Sequence, residues 1–245
     1  MKKLNTLFTI VALATLANVQ VVMAGSPQLT PSPSPTIDAS VEVGYSSTNM
    51  WRGQDIGQNE ASAVVTGSID LPADINLSLI ADYSNSQSIE DNQGDLSAVF
   101  SKDIADFRFS ASYTWFSSGF VTNTGGAAQE VGLGVSRAVG PVDLSLTQYI
   151  AVEGDNNSYG EFSVDYKNSF GLPFTLDLNT ALGYIVEQSK ATYVETTLST
   201  DIDTTFCGIV AVPFVAYSIS LSDFQGANGN TENEFFGGIA FKRTF

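Results

Sequence analysis

The sequence predicts an all-β fold: a transmembrane, antiparallel, up-and-down β-barrel of about 12 strands. Three observations predict it. Beyond residue 38, apolar residues recur with a period of two and no segment shows a convincing helical period. The connections between these alternating runs are short and long by turns. The chain finishes on the alternating aromatic run FFGGIAFKRTF, where soluble domains usually end in polar, frayed residues.

The N-terminus comes first. Lys2 and Lys3 precede an apolar stretch, and Val22-Met23-Ala24 places small residues at −3 and −1 of a cleavage site. Residues 1–24 read as a secretory signal peptide, with no Cys directly at the cut to suggest a lipoprotein. Residues 25–37 are rich in Pro and Ser and read as an extended periplasmic leader, a spacer that resists both helix and ladder. Loss of the two signal lysines leaves 8 basic against 26 acidic residues, a balance of −18. A chain this acidic is a poor nucleic-acid binder. The single Cys207 excludes an intramolecular disulfide framework, and histidine is absent.

Residues 38–245 carry the barrel. Strands are expected near 39–49, 60–71, 75–85, 94–103, 106–117, 128–138, 141–152, 159–168, 173–185, 191–201, 204–221 and 233–245. INLSLIADYS sets Ile75, Leu77, Leu79, Ala81 and Tyr83 against Asn76, Ser78, Asp82 and Ser84. FRFSASYTW sets Phe107, Phe109, Ala111, Tyr113 and Trp115 against Arg108, Ser110, Ser112 and Thr114. PADI, DIAD, AVGP, SFGLP and DIDT are the tight connections. The others, beginning with SSTNMWRGQDIGQN, are longer and rich in Asn, Ser, Gly and Gln.

Even strand number, alternating loop lengths and both termini at the short-turn end give the layout of a bacterial outer-membrane barrel. Hydrocarbon tolerates only helices or closed barrels, because every backbone polar group must be paired. The apolar face then meets outer-membrane lipid and the polar face lines the lumen. Tyr45, Tyr83, Trp115, Tyr184 and Tyr217 fall near the long-loop ends of outward faces, and Phe107, Phe174 and Phe245 near the short-turn ends. These are the two aromatic girdles expected at membrane interfaces.

The candidate lumen residues are Glu42, Arg52, Asp82, Arg108, Glu130, Glu161, Asp165, Lys167, Asp177 and Glu195. Part of this set, with Lys242, should form ion pairs that brace the wall. The remaining acids would bias a pore against anions. Trp51-Arg52-Gly53 has two readings. In one, Trp51 anchors at the outer interface, Gly53 turns the chain and Arg52 pairs with an acid at the mouth. In the other, Arg52 lines a constriction and orients a solute.

Without His, the Ser-His-acid, Asp-His and His-rich zinc designs all fail. Carboxylate-only catalysis remains formally open, but polar lumen residues are obligatory in any such barrel, so an enzyme is not expected. DNNSYGE, residues 155–161, has Asp, Asn and Gly at calcium-loop positions one, three and six. Tyr159 and Tyr166 occupy positions five and twelve, where ligands are needed, so it reads as a turn. The expected function is passive diffusion of small neutral or cationic solutes without a cofactor. The alternative is a non-conducting structural or adhesive barrel with exposed loops.

Two stretches carry a resemblance. Ile239, Phe241 and the terminal Phe245 resemble the C-terminal assembly signal of Gram-negative outer-membrane proteins. That resemblance implies recognition by the barrel-assembly machinery; Arg243 departs from full apolar alternation and would snorkel at the interface. Tyr45, Ser47, Trp51, Arg52 and Gly53 are similar to a Tyr-x-Ser…aromatic-Arg-Gly motif opening the Gcw-type conserved hypothetical outer-membrane proteins. That family supplies no activity.

Overall fold

The computed structural model describes residues 37–86, 93–117, 128–153, 158–172, 174–185, 190–204, 207–221 and 233–245. Residues 1–24, read above as a signal peptide, nearly all of 25–37, read as a leader, and most of the long connections lie outside them. Twelve strands run in chain order: β1 (Ile37–Trp51), β2 (Gln54–Leu71), β3 (Ile75–Asn85), β4 (Gln93–Ile104), β5 (Phe107–Phe116) and β6 (Gln129–Val139). They continue as β7 (Val142–Glu153), β8 (Ser158–Asn168), β9 (Thr175–Ile185), β10 (Lys190–Asp203), β11 (Ile209–Ser220) and β12 (Glu234–Thr244). Each pairs antiparallel with its sequence neighbours, and β12 returns to β1 to close the barrel. Closure runs from Ser40↔Thr244 to Ser46↔Gly238. No sheet edge is left open, which is the condition for a β-structure to sit in hydrocarbon.

The barrel is apolar outside. Val43, Leu79, Leu96, Phe100, Phe109, Leu133, Leu146, Phe162, Leu178, Leu198, Val215 and Phe241 are exposed, and cross-strand registers put them all on one face. An 11-residue strand such as β3, tilted at about 45°, spans about 25 Å of such a band. At the long-connection end this face carries tyrosines tied to polar partners. Tyr45 donates to Asn59 (2.7 Å), Tyr184 to Gln148 (3.2 Å), and Tyr113 to Gln129. An apolar ring with a hydrogen-bonded hydroxyl suits a boundary between hydrocarbon and water.

Two expectations need correction. SSTNMWRGQDIGQN is not a long connection. β1 and β2 continue through it and meet at a two-residue turn, Arg52-Gly53. Both turn residues have positive φ, 49° and 73°, as a type I′ hairpin requires. The polar composition misled because this part of the hairpin leaves the wall, so neither face has to be apolar. The tenth connection is also longer than DIDT suggested: β11 begins at Ile209, with Cys207 and Gly208 at positive φ in the turn before it.

Candidate functional site

Two irregularities bend the β1–β2 hairpin. Asn59 takes φ of 53° inside β2, a conformation Asn tolerates better than most residues. The register then shifts between Asn49 and Met50, where Asn49 faces Gly57 but Met50 faces Asp55. The extra residue, Ile56, makes a bulge, and bulges bend the strand that carries them. The tip beyond the bulge contacts strands that are not its sheet neighbours. Asn49 Nδ2 donates to Gln93 Oε1 of β4 (3.1 Å). Ile56 is buried with Phe116 of β5, with Trp51 packed against the pair. Gly53 lies so close to Tyr193 of β10 that a Cβ would overlap the base of that ring. The tip therefore crosses the bore.

Arg52, at the apex, reaches the far wall. Its Nη1 and Nη2 donate to Glu130 Oε1 (2.9 Å) and Oε2 (2.6 Å) of β6, a bidentate fork. The two side chains are only 15% and 6% exposed. The guanidinium carbon also lies 4.2 Å from the Tyr159 ring centroid, 4.5 Å from Trp51 and 5.0 Å from Tyr149. These distances are within cation–π range. Removing one member of such a buried pair leaves an uncompensated charge and costs about 3–5 kcal/mol.

A tyrosine cluster forms the floor of this seat. Tyr149 and Tyr159 stack at 5.9 Å, and Tyr159 and Tyr193 at 6.5 Å with an 8° interplanar angle. The Tyr193 hydroxyl donates to Glu161 Oε2 (2.7 Å), and the Tyr159 hydroxyl lies 2.6 Å from the Tyr193 oxygen. Tyr193 lies across Gly183 of β9, where a Cβ would overlap its ring; only glycine leaves the ring that space.

The sequence candidates thus separate into groups. Arg52 and Glu130 meet in the seat, with Glu161 beneath it. Lys167 bridges Asp165 (3.3 Å) and Asp177 (3.0 Å) towards the short-turn rim. Arg108 is at that rim, paired with Asp103 (2.7 Å), and both are more than half exposed. With Arg137–Asp106 (3.3 Å), that pair borders an open recess of about 550 Å³, remote from the constriction. Glu42 faces Lys242 in the closing register, yet no ion pair joins them among the described residues. Asp82 faces Asp95 directly across β3 and β4. Glu195 faces Ala181 and Ser218 on the inner wall.

Trp51 corrects one reading: it packs inside the mouth on Ile56 and Phe116 rather than at the lipid interface. Sequence reasoning also missed Tyr149, Tyr159, Tyr193 and Asp95. A signal was present. In KATYVETT, Tyr193 shares the parity of Glu195 and Thr197, and in SYGEFSVDYK, Tyr159 shares that of Glu161 and Asp165. A tyrosine on the polar parity belongs to the lumen, not the girdle.

No family model and no curated protein matches the sequence. Solved structures do. A membrane protein from a study of in-meso crystallization aligns with TM-score 0.53 and 10% identity, over 85% of this chain and 84% of its own. The NanC porin aligns with TM-score 0.50 and 14% identity, over 83% and 98%. The KdgM porin aligns with TM-score 0.49 and 9% identity, over 84% and 99%. At such identities the likeness to the first two is one of fold alone.

Proposed function

We propose that this barrel is a passive, cofactor-free and non-enzymatic channel of the bacterial outer membrane, for small neutral or cationic solutes. The observation that carries the proposal is the charge pattern of the inner wall. Among the described residues, the ion pairs engage Asp103, Asp106, Glu130, Asp165 and Asp177. Glu42, Glu60, Asp82, Asp95, Glu161 and Glu195 share the inner face and have no such partner. Unpaired carboxylates along a narrow, low-dielectric bore repel anions and concentrate cations, and salt screens the effect.

Twelve strands lie between the filled interior of eight and the aqueous channel of sixteen, and the hairpin narrows the bore further. Under this proposal residues 1–24 direct export, and Ile239, Phe241 and Phe245 are read by the assembly machinery. The resemblance to Gcw-type proteins concerns Tyr45, Ser47, Trp51, Arg52 and Gly53, three of which build the hairpin tip. The hairpin favours a second reading, a closed structural or adhesive barrel.

Reversal potentials across a planar bilayer under a salt gradient separate the two. The parent is expected to prefer cations, and Asp82→Asn with Asp95→Asn is expected to reduce that preference. Folded parent without conductance would leave the closed barrel. Conducting parent with anion preference would reject the charge argument.

A further inference from the structure

We infer that the barrel mouth contains a guanidinium-binding site that the chain's own Arg52 occupies, and that a solute carrying a guanidinium group is a ligand for it. The inference builds on the reading of the pore as a cation pathway, but names a ligand class and a seat. The seat has the parts that recognise a planar cation. Glu130 presents both carboxylate oxygens at 2.6 and 2.9 Å to the two terminal nitrogens. Aromatic faces of Trp51, Tyr149 and Tyr159 surround the guanidinium carbon at 4.2–5.0 Å. A carboxylate fork with stacked rings selects guanidinium over ammonium, because ammonium is compact, more strongly hydrated and cannot pair bidentately.

The occupant and the seat are held independently. Arg52 belongs to the hairpin apex, whereas Glu130, Tyr149 and Tyr159 belong to β6, β7 and β8 of the far wall. Trp51, the one wall of the seat on the hairpin, is packed on Ile56 and Phe116. Gly53 remains against Tyr193, and Asn49 remains bonded to Gln93. Truncating Arg52 therefore empties the seat without removing its walls.

The test measures binding rather than current, so it fails separately from the channel reading. Of the two tryptophans, Trp115 lies on the outward face; Trp115→Phe leaves Trp51 as the reporter. In detergent-folded R52A, methylguanidinium is expected to change Trp51 fluorescence saturably, about tenfold more tightly than methylammonium at equal ionic strength. The protein retaining Arg52 should not respond over the same range. R52A with Glu130→Gln should lose the response. R52K preserves an ion pair if R52A folds poorly, and methylguanidinium should compete in it at higher concentration. Equal responses to the two cations, a response that survives Glu130→Gln, or silence in both R52A and R52K would each overturn the inference.

Discussion

Gly53→Ala tests whether the β1–β2 tip is what narrows the pore. Gly53 has φ of 73°, and a Cβ there would overlap the Tyr193 side chain at its base. Left-handed backbone costs a residue with a Cβ about 1–2 kcal/mol. Relieving the overlap must move Tyr193, which is 4% exposed and bonded to Glu161. Overpacking of this kind costs about 1–3 kcal/mol. The total is roughly 2–5 kcal/mol. It should raise the ratio of displaced to seated tip by at least about tenfold, since 1.4 kcal/mol is one decade. The assay is single-channel conductance in planar bilayers, with heat-modifiable migration as the check on folding. Gly140→Ala is the control: its φ is 63°, and a Cβ there would meet nothing within 4 Å. It carries the strain without the clash and should leave conductance unchanged. Folded Gly53→Ala with the parent's conductance distribution would refute the reasoning, as would an equal rise in Gly140→Ala.

Three further outcomes are expected. Replacing Phe241 and Phe245 with Ser should reduce heat-modifiable protein in outer-membrane fractions more than it reduces export, because both rings are exposed on the closing strand or just beyond it. Equal folded amounts would refute it. Lys167→Met should lower the free energy of unfolding in urea by about 1 kcal/mol at low salt, since Asp165 and Asp177 lose their shared cation, and by less in 1 M salt; no salt dependence would refute it. A disulfide between Asn49→Cys and Gln93→Cys, with Cys207→Ser to remove the free thiol, should hold the tip seated and lower conductance until reduced. A locked barrel that conducts like its reduced form would refute it.

The wall was legible in the sequence because lipid and lumen impose a period of two on every strand that separates them. Once β3 was placed by Leu77, Leu79 and Ala81, Asp82 had to point inward. The lysine brace was half-legible: Lys167 and Asp165 share a parity, but only the register Lys167↔Asp177 brings the second acid across. The consequence is practical, since changing Asp177 would disturb that brace, whereas Asp82 and Asp95 have no ion pair to lose among the described residues. The seat was legible only in part: that Arg52 pairs with an acid at the mouth was expected, but not which acid, nor that aromatic rings enclose the pair. Arg52 and Glu130 are 78 residues apart, and the bulge that turns Arg52 inward arises from one unmatched residue, Ile56, in a stretch whose polar composition resembles a loop. Inside the bore, the rule that made the wall readable no longer applies.

The central claim is that unpaired inner carboxylates make this barrel a cation-preferring pore, and the reversal potential of the purified parent under a salt gradient tests it most directly. The expected result is a potential of the sign set by cation flow, shrinking as ionic strength rises. A folded barrel that passes no current, or one whose potential carries the sign of anion flow, would contradict it.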